Sequence, residues 1–533
     1  MLNKNKRQSL KSFQLTTILI IILQIFFGCN DGSTDTDAID KKIKTGTEKI
    51  LSNIHKPKIP DRSINLVEFS GKEPDQDGTF NFRPAIQKAI DNLSNRGGGK
   101  IIFPHPQGRE AWIKQTVTYK SEGPINLKNN IELVFDPNTR LYFEFGPQNY
   151  LYDGKGVLTR YEGTTLYSFS PCLRAFNVKN IAITAREGSG AMPIIDGDGE
   201  AWQRWKKKGD DRLLSQGKMG SWKLPRKANN ADVPIRERWF DDPAKHFLRP
   251  CLVEFFLCEN ILMDGIKLED SPFWVIHPIF SQNMIFRNLA FDCPVVNNDG
   301  IDPESSKNVL IENIIFDNHD DNVAIKAGRD KEGRQGAIVK GTELENIKSE
   351  YINDGRIGGP AENIIVRDCV FKGHYGFCIG SEMSGSVRNV YCLDNIAPQN
   401  ASGVFLKSSR MRGGIIEDIY VKGLELSDAR FVVALIPNYD ADTSSPYVPV
   451  FRDIYIEDIQ AENTDNGIEI HGWYDQPIQN VMLKDIKINK VENEPFLIQQ
   501  VQNVELENVT IENKSYDGIY NKRDKKSKPK QKI

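Results

Sequence analysis

Carboxylates crowd one short stretch of the chain. Asn297-Asn298-Asp299-Gly300-Ile301-Asp302 is followed by Asp320-Asp321, and 21 residues separate Asp299 from Asp320. Ionised acids packed this closely repel one another, so the cost is met by sharing a proton or by binding a cation. Three uses fit such a cluster: a ladder of turn-forming aspartates, a calcium site, or paired general acid and base. A single aspartate would favour the structural uses. The trio Asp299, Asp320 and Asp321 favours proton chemistry.

Whether these groups meet depends on the elements that carry them. One phrase recurs along the chain: Asn, an alternating apolar run, a polar pair, then an apolar residue. It reads Asn260-Ile-Leu-Met-Asp-Gly-Ile, Asn283-Met-Ile-Phe-Arg-Asn-Leu, Asn308-Val-Leu-Ile-Glu-Asn-Ile and Asn363-Ile-Ile-Val-Arg-Asp-Cys. It returns from Asn389, Asn480 and Asn503, and neighbouring copies lie 23, 25, 26 and 23 residues apart where nothing is inserted. Period-2 alternation with β-branched residues signals strands rather than helix. Each copy is too short to bury its own apolar face, so copies must stack as a solenoid. At ~3.3 Å per residue, such a period suits one coil of three short strands with turns. The recurrent Asn or Asp tolerates the left-handed conformation that bends require. The leucine-rich-repeat signature Leu-x-x-Leu-x-Leu is absent. The fold class is therefore all-β, a parallel β-helix.

On such a coil the gap from Asp299 to Asp320 places them on neighbouring rungs, ~4.8 Å apart. One difficulty follows. Asp320 and Asp321 are adjacent and should face opposite ways. Val323 and Ile325 read as inward-facing, which by parity buries Asp321. A bend before Val323 is predicted.

Phe82 to Leu93 has helical apolar spacing, with Pro84 early and Gly97-Gly98-Gly99 beyond its end, the signature of a helix that covers the first coil. Residues 61–515 are assigned to the solenoid, with insertions at about 198–250 and 329–360. The first insertion carries Trp202, Trp205, Trp222 and Trp239. It is either a substrate wall or a surface excursion whose tryptophans anchor in the core. The second carries Arg329, Arg334, Lys340, Lys348 and Arg356.

The chain begins with Lys4, Lys6, Arg7 and Lys11, then runs apolar from Leu15 to Phe27 and ends at Gly28-Cys29. Residues 1–28 read as an export signal, too short to span a bilayer. Gly28-Cys29 resembles a bacterial lipoprotein cleavage site, which implies a lipid on Cys29 and attachment to a bacterial membrane. Residues 29–60 read as a polar tether and 516–533 as a basic tail. Among 533 residues, 69 basic and 72 acidic side chains give a net charge of -3, which argues against nucleic acid as a partner. A mean hydropathy of -0.46 excludes a polytopic membrane protein. Seven cysteines follow Cys29, with no CxxC pair and no histidine at zinc-finger spacing, so they read mostly as small buried hydrophobes. No metal and no cofactor are expected, and the chain is expected to be a monomer.

Taken in order, the motifs resemble glycoside hydrolase family 28, the polygalacturonase family of the pectin lyase-like superfamily. They are Asn-Asn-Asp-Gly-Ile-Asp, Asp320-Asp321-x-Val-Ala-Ile-Lys, Gly373-His374-x-Gly376 and the Gly-x-x-x-Lys element from Gly403 to Lys407. Asp-Gly-x-Asp-Pro-Glu-Ser (299–305), Ile-Gly-Ser-Glu-Met-Ser-Gly (379–385) and Arg410-x-Arg412-Gly-Gly are similar to its bacterial exo-acting branch. The resemblance runs from about Asp61 to Val421. It implies a right-handed β-helix and an inverting hydrolase of pectic polysaccharide that works from chain ends.

By that resemblance Asp320 is the general acid, Asp299 and Asp321 hold and activate water, and His374 tunes or orients the acid. Asn297, Phe405, Lys407 and Arg410 are candidate substrate contacts. The family pattern Gly-x-Arg-Ile-Lys here reads Gly403-Val-Phe405-Leu-Lys407, so an Arg that resembles a uronate clamp is Phe. Phe405 would stack on the sugar instead. Lys407 is expected to meet a sugar carboxylate, since a buried Lys without an anionic partner is costly. Arg410, Arg412 and the basic residues of 329–356 are candidate replacements for the lost clamp. The alternatives are a different acidic or neutral glycoside, a β-helix polysaccharide lyase, and a carbohydrate-binding surface protein.

Overall fold

The computed structural model describes residues 34–106, 115–206, 214–399, 401–439 and 444–523. Cys29, the export signal and the tail from 524 onward lie outside these residues.

The repeated phrase forms the strands of a right-handed parallel β-helix. Strands Glu259–Asp264, Gln282–Arg287, Lys307–Glu312 and Ala361–Arg367 pair in parallel, one coil upon the next. Register stacks like on like: Ile261, Met284, Val309, Ile364, Val390 and Ile419 follow one another along the axis. All six are buried, and they belong to one apolar core that runs from Leu66 to Ile511. Shorter strands such as Lys267–Glu269 and Ile276–Ile279 supply the other two faces of the coil.

The asparagines that open each copy sit at positive φ, 54–60° at Asn180, Asn260, Asn283, Asn308, Asn363 and Asn389. Their side-chain amides bond to one another along the axis: Asn260 to Asn180 at 3.1 Å, Asn308 to Asn283 at 3.1 Å, Asn363 to Asn308 at 3.0 Å. The bend that the short side chain permits is thus also satisfied by the coil below it.

Helix Arg83–Asn95 covers the first coil as predicted, with Pro84 in its first turn and Ile86, Ala89, Ile90 and Leu93 buried. At the far end the solenoid extends past 515. Strand Gly518–Tyr520 folds back antiparallel on Val501–Ile511, and Tyr516 and Tyr520 pack on Phe496. The segment read as a polar tether is helical over Thr34–Asn53. Its composition is that of a solvated linker, but Ile50 is buried, which gives the end of the helix an apolar anchor. The seven described cysteines are all buried and unbridged. Among the described residues no helix is long and apolar enough to cross a membrane.

Both insertions leave the coil. The first holds short helical pieces, Gly199–Trp202, Gln203–Trp205, Gln216–Met219 and Lys223–Asn230. Trp202 and Trp205 are buried in the main core, with rings 5.1 Å apart and perpendicular. Trp239 stacks on Tyr167 at 4.0 Å. The second insertion forms helix Asp330–Gln335 and a small antiparallel sheet.

Candidate active site

The expected break in alternation lies between Asn318 and Asp321, ahead of Val323. Strand Asn318–Ile325 pairs with Val370–Ile379, and its register shifts between Asn318 and Asp321. Asn322 is buried, and its amide donates to the Asn318 side chain at 2.7 Å and to the Lys372 carbonyl at 2.8 Å. The Asn318 amide in turn holds the Asn298 and Asp321 carbonyls at 2.8 and 2.9 Å. Val323 therefore enters the core while Asp321 faces a cleft. Two glycines of the motifs fit because coils meet closely here. A Cβ on Gly300 would lie 2.4 Å from the Asn322 carbonyl oxygen, and one on Gly373 would lie 2.0 Å from that of Asn318.

The cleft, about 490 Å³, is lined by Asp299, Asp320 and Asp321 from the coils. Lys326, Glu382 and Lys407 line its floor as well, and Arg329 and Tyr439 also line it. Trp222, Arg226 and Lys206 enter from the first insertion. Asn297 is turned towards the acids: Arg249 donates to its side-chain Oδ1 at 2.9 Å, and its Nδ2 lies 3.5 Å from Asp320.

The three carboxylates differ in their partners. Asp321 takes both oxygens to Lys407 Nζ, at 2.7 and 3.0 Å. Asp299 meets Lys326 Nζ at 3.2 Å. Asp320 accepts from the Asp321 backbone N–H at 3.2 Å and, among the described residues, has no cation at ion-pair distance. Burial, then the neighbouring Asp321, push the Asp320 carboxyl above its ordinary value, with Lys407, Lys326 and His319 opposing. Burial and then Asp302 push Asp299 well up. Asp302 is fully buried, its oxygens make no hydrogen bond among the described residues, and Lys326 lies 3.9 Å away. One proton shared between Asp299 and Asp302 relieves this crowding.

Burial works against the charges of Lys326 and Lys407. The acids beside them, Asp302 and Asp299 for the first and Asp321 for the second, outweigh it and hold both well above the ordinary lysine value. Glu382 is buried as well. Arg329 at 2.6 Å, with Lys326 and Arg412, overcomes that burial and keeps it ionised.

A sealed polar layer lies behind. Glu304 joins Arg160 at 2.9 Å and His277 at 2.8 Å, and Glu332 of the second insertion joins Arg238 at 2.5 Å.

Several expectations change. Lys407 lines the cleft, but its anionic partner is Asp321, so its burial needs no sugar carboxylate. Phe405 does not offer its ring to a sugar. It is 2% exposed, packed against Phe431 and Tyr375, with Lys407 Nζ 4.8 Å above it. Its place on the strand points outward, but aromatic neighbours cover it. Arg410 turns away from the cleft to pair with Asp475 and stack on Trp473 at 4.6 Å. Arg412 is buried against Asp330 at 2.6 Å. His374 stacks on His319 at 5.1 Å and lines a second cleft with Arg430, Asp465 and Lys490. Burial and Arg430 hold its pKa down, against the pull of Asp320 and Asp321.

Of the second insertion's basic residues only Arg329 lines the cleft; Arg356 pairs with Asp232 at 2.8 Å and Arg334 stacks on Tyr447 at 3.5 Å. Lys326 and Glu382 stood inside the quoted motifs without a role. Lys206 and Tyr439 lie in no repeat that could have pointed to them, and from sequence Trp222 reads only as part of the first insertion.

A profile of glycosyl hydrolases family 28 matches residues 237–488. A probable polygalacturonase of Vitis vinifera is 27% identical over 455 residues, 83% of this chain and 78% of its own. Among solved structures, the hyperthermoactive exopolygalacturonase from Thermotoga maritima is 32% identical at a TM-score of 0.74, covering 90% of this chain and 99% of that one. The family 28 exopolygalacturonase of Yersinia enterocolitica is 18% identical, covers 87% of this chain and 77% of its own, and shares the fold at a TM-score of 0.59.

Proposed function

The chain belongs to glycosyl hydrolase family 28, and from that premise we propose that it cleaves α-galacturonosidic bonds of pectic polysaccharide with inversion, one sugar at a time from the chain end. One observation carries the roles: of the three cleft aspartates, only Asp320 lacks a cationic partner among the described residues. A carboxyl that is buried beside an ionised neighbour and unpaired is the one that keeps its proton. Asp320 donates that proton to the leaving oxygen. Asp321, ion-paired with Lys407, and Asp299, paired with Lys326, orient water on the opposite face and take its proton as it attacks. The raised basicity of Asp299 favours that transfer.

End-wise attack draws support from the first insertion, whose Lys206, Trp222 and Arg226 wall one side of the cleft. The relative from Thermotoga maritima is likewise named an exopolygalacturonase. The test is product analysis on homogalacturonan and branched pectins. Early release of single sugars, inverted by anomeric NMR, is expected. A ladder of oligomers refutes the exo mode, and retention refutes the mechanism.

A second reading has its own support. Phe405 is covered and Lys407 is taken by Asp321, so the strand that resembles a uronate clamp presents no spare cation. A neutral or differently decorated glycoside fits that strand.

The protein is also proposed to be exported and lipid-anchored through Cys29. Cys29→Ser should move it from the membrane fraction to the soluble one, since stable anchoring needs the multiply acylated form. An unchanged detergent requirement overturns this.

A further inference from the structure

We propose that Lys206 receives the carboxylate of the uronic sugar bound beside Asp320, so that the anion-binding role has moved from the strand to the first insertion. This rests on the galacturonide reading above and names the residue that makes it work.

One cation of the cleft is unmatched among the described residues. Five basic side chains line the cleft: Lys206, Arg226, Lys326, Arg329 and Lys407. Four are committed. Lys326 holds Asp299, Lys407 holds Asp321, Arg329 holds Glu382, and Arg226 bonds Glu162 through Nε at 3.0 Å. Among the described residues Lys206 has no carboxylate at ion-pair distance, although it is half-buried. The five cations face five lining carboxylates, Glu162, Asp299, Asp320, Asp321 and Glu382. With Asp320 protonated for catalysis, the cleft carries a positive surplus, and Lys206 is where it stands uncompensated.

Position supports the same reading. Lys206 follows the 3₁₀ turn Gln203–Trp205, and its N–H bonds the Gln203 carbonyl at 2.9 Å. Trp202 and Trp205, buried in the core, pin that turn to the coil. The ammonium therefore swings from a fixed base into a cleft shared with Asn297, Asp320 and the ring of Trp222. Burial and the nearby Arg249 disfavour its charge. An arriving carboxylate relieves both, and a neutral sugar relieves neither.

The test measures kcat/KM on di- and trigalacturonate, on their methyl esters and on matching neutral galactosides. Wild type should prefer the free acid. Lys206→Met should lose roughly 10- to 150-fold on the acid, the worth of a hydrogen bond to a charged group. Its activity on ester and galactoside should hold, and Lys206→Arg should restore most of the loss. Equal losses on acid and ester would reduce Lys206 to wall packing and overturn the proposal, as would an unchanged preference for the acid. Should Lys206→Met fold poorly by circular dichroism, Lys206→Gln gives the same comparison. Titration of galacturonic acid into Asp320→Asn, with and without Lys206→Gln, reads the contact without turnover. If wild type cleaves galactosides and no galacturonide, the substrate reading fails first, before any Lys206 variant is made, and this proposal falls with it.

Discussion

On the coil floor, Lys326 and Lys407 each lie within 3.2 Å of a carboxylate of the same cleft. On the wall built by the first insertion, Lys206 has no such partner among the described residues and the Trp222 ring faces the same space. The floor spends its cations on setting the protonation of its own acids. The wall leaves a cation and a ring for whatever enters. On the proposed reading, bond-breaking and recognition fall to regions of different construction, one fixed by coil register and one by an irregular loop pinned through two tryptophans.

Variants can break or sharpen that division. The largest effect belongs to the floor. Asp320→Asn should lower turnover by ~10²–10⁴ on charged and neutral substrates alike, because the proton donor is lost. A loss confined to galacturonides would erase the distinction between floor and wall. Next, Lys407→Met strands a buried Asp321. Breaking a buried pair costs about 3–5 kcal/mol, so the denaturation midpoint should fall clearly, and Asp321→Asn added to it should recover stability. A midpoint unchanged in Lys407→Met would mean that the lysine serves the substrate rather than the fold.

On the wall, Trp222→Ala should raise KM by roughly 2- to 12-fold, the range of one aromatic contact, with kcat and stability nearly unchanged. A large fall in kcat would place the wall in the chemistry.

The smallest effect is on pH dependence. Asp320 must be protonated to act, and its carboxyl is raised, so activity should fall as pH climbs through that raised value. Lys407 opposes the rise. Lys407→Met should therefore push the alkaline limb of kcat to higher pH, and a shift to lower pH would reverse the assignment of Asp320 as acid.

Much of the floor was legible in the residues. The spacing of the Asn-led copies gave coil length, and coil length placed Asp299 beside Asp320. The conflict of parity at Asp321 predicted a break ahead of Val323, and the register shifts between Asn318 and Asp321. What stayed hidden depends on distances along the axis rather than along the chain. The partner of Lys407 lies 86 residues away, and pairing them requires the register of every coil between. Phe405 has the outward parity of an exposed ring, and only the positions of Phe431 and Tyr439 cover it. Lys206 sits in a stretch with no period, where neither its direction nor its lack of a partner can be read. The segment 34–53 had a linker's polarity, and its helix shows only through sparse isoleucines.

The ladder of asparagine amides has a consequence for how such a molecule can change. Its rungs join residues 23, 25 and 26 apart, but also 50, 55 and 80 apart, with the same kind of bond. The chain can therefore leave the stack for dozens of residues and re-enter on the next step without disturbing what lies above or below. A loop hung between two rungs can vary wherever it is not anchored. Trp202, Trp205 and Arg238 tie the first insertion to the core and to Glu332, so the stretches that carry Lys206 and Trp222 can change, cation and ring included, while those anchors and the acids beneath stay in place, and a new sugar preference can arise without rebuilding the site.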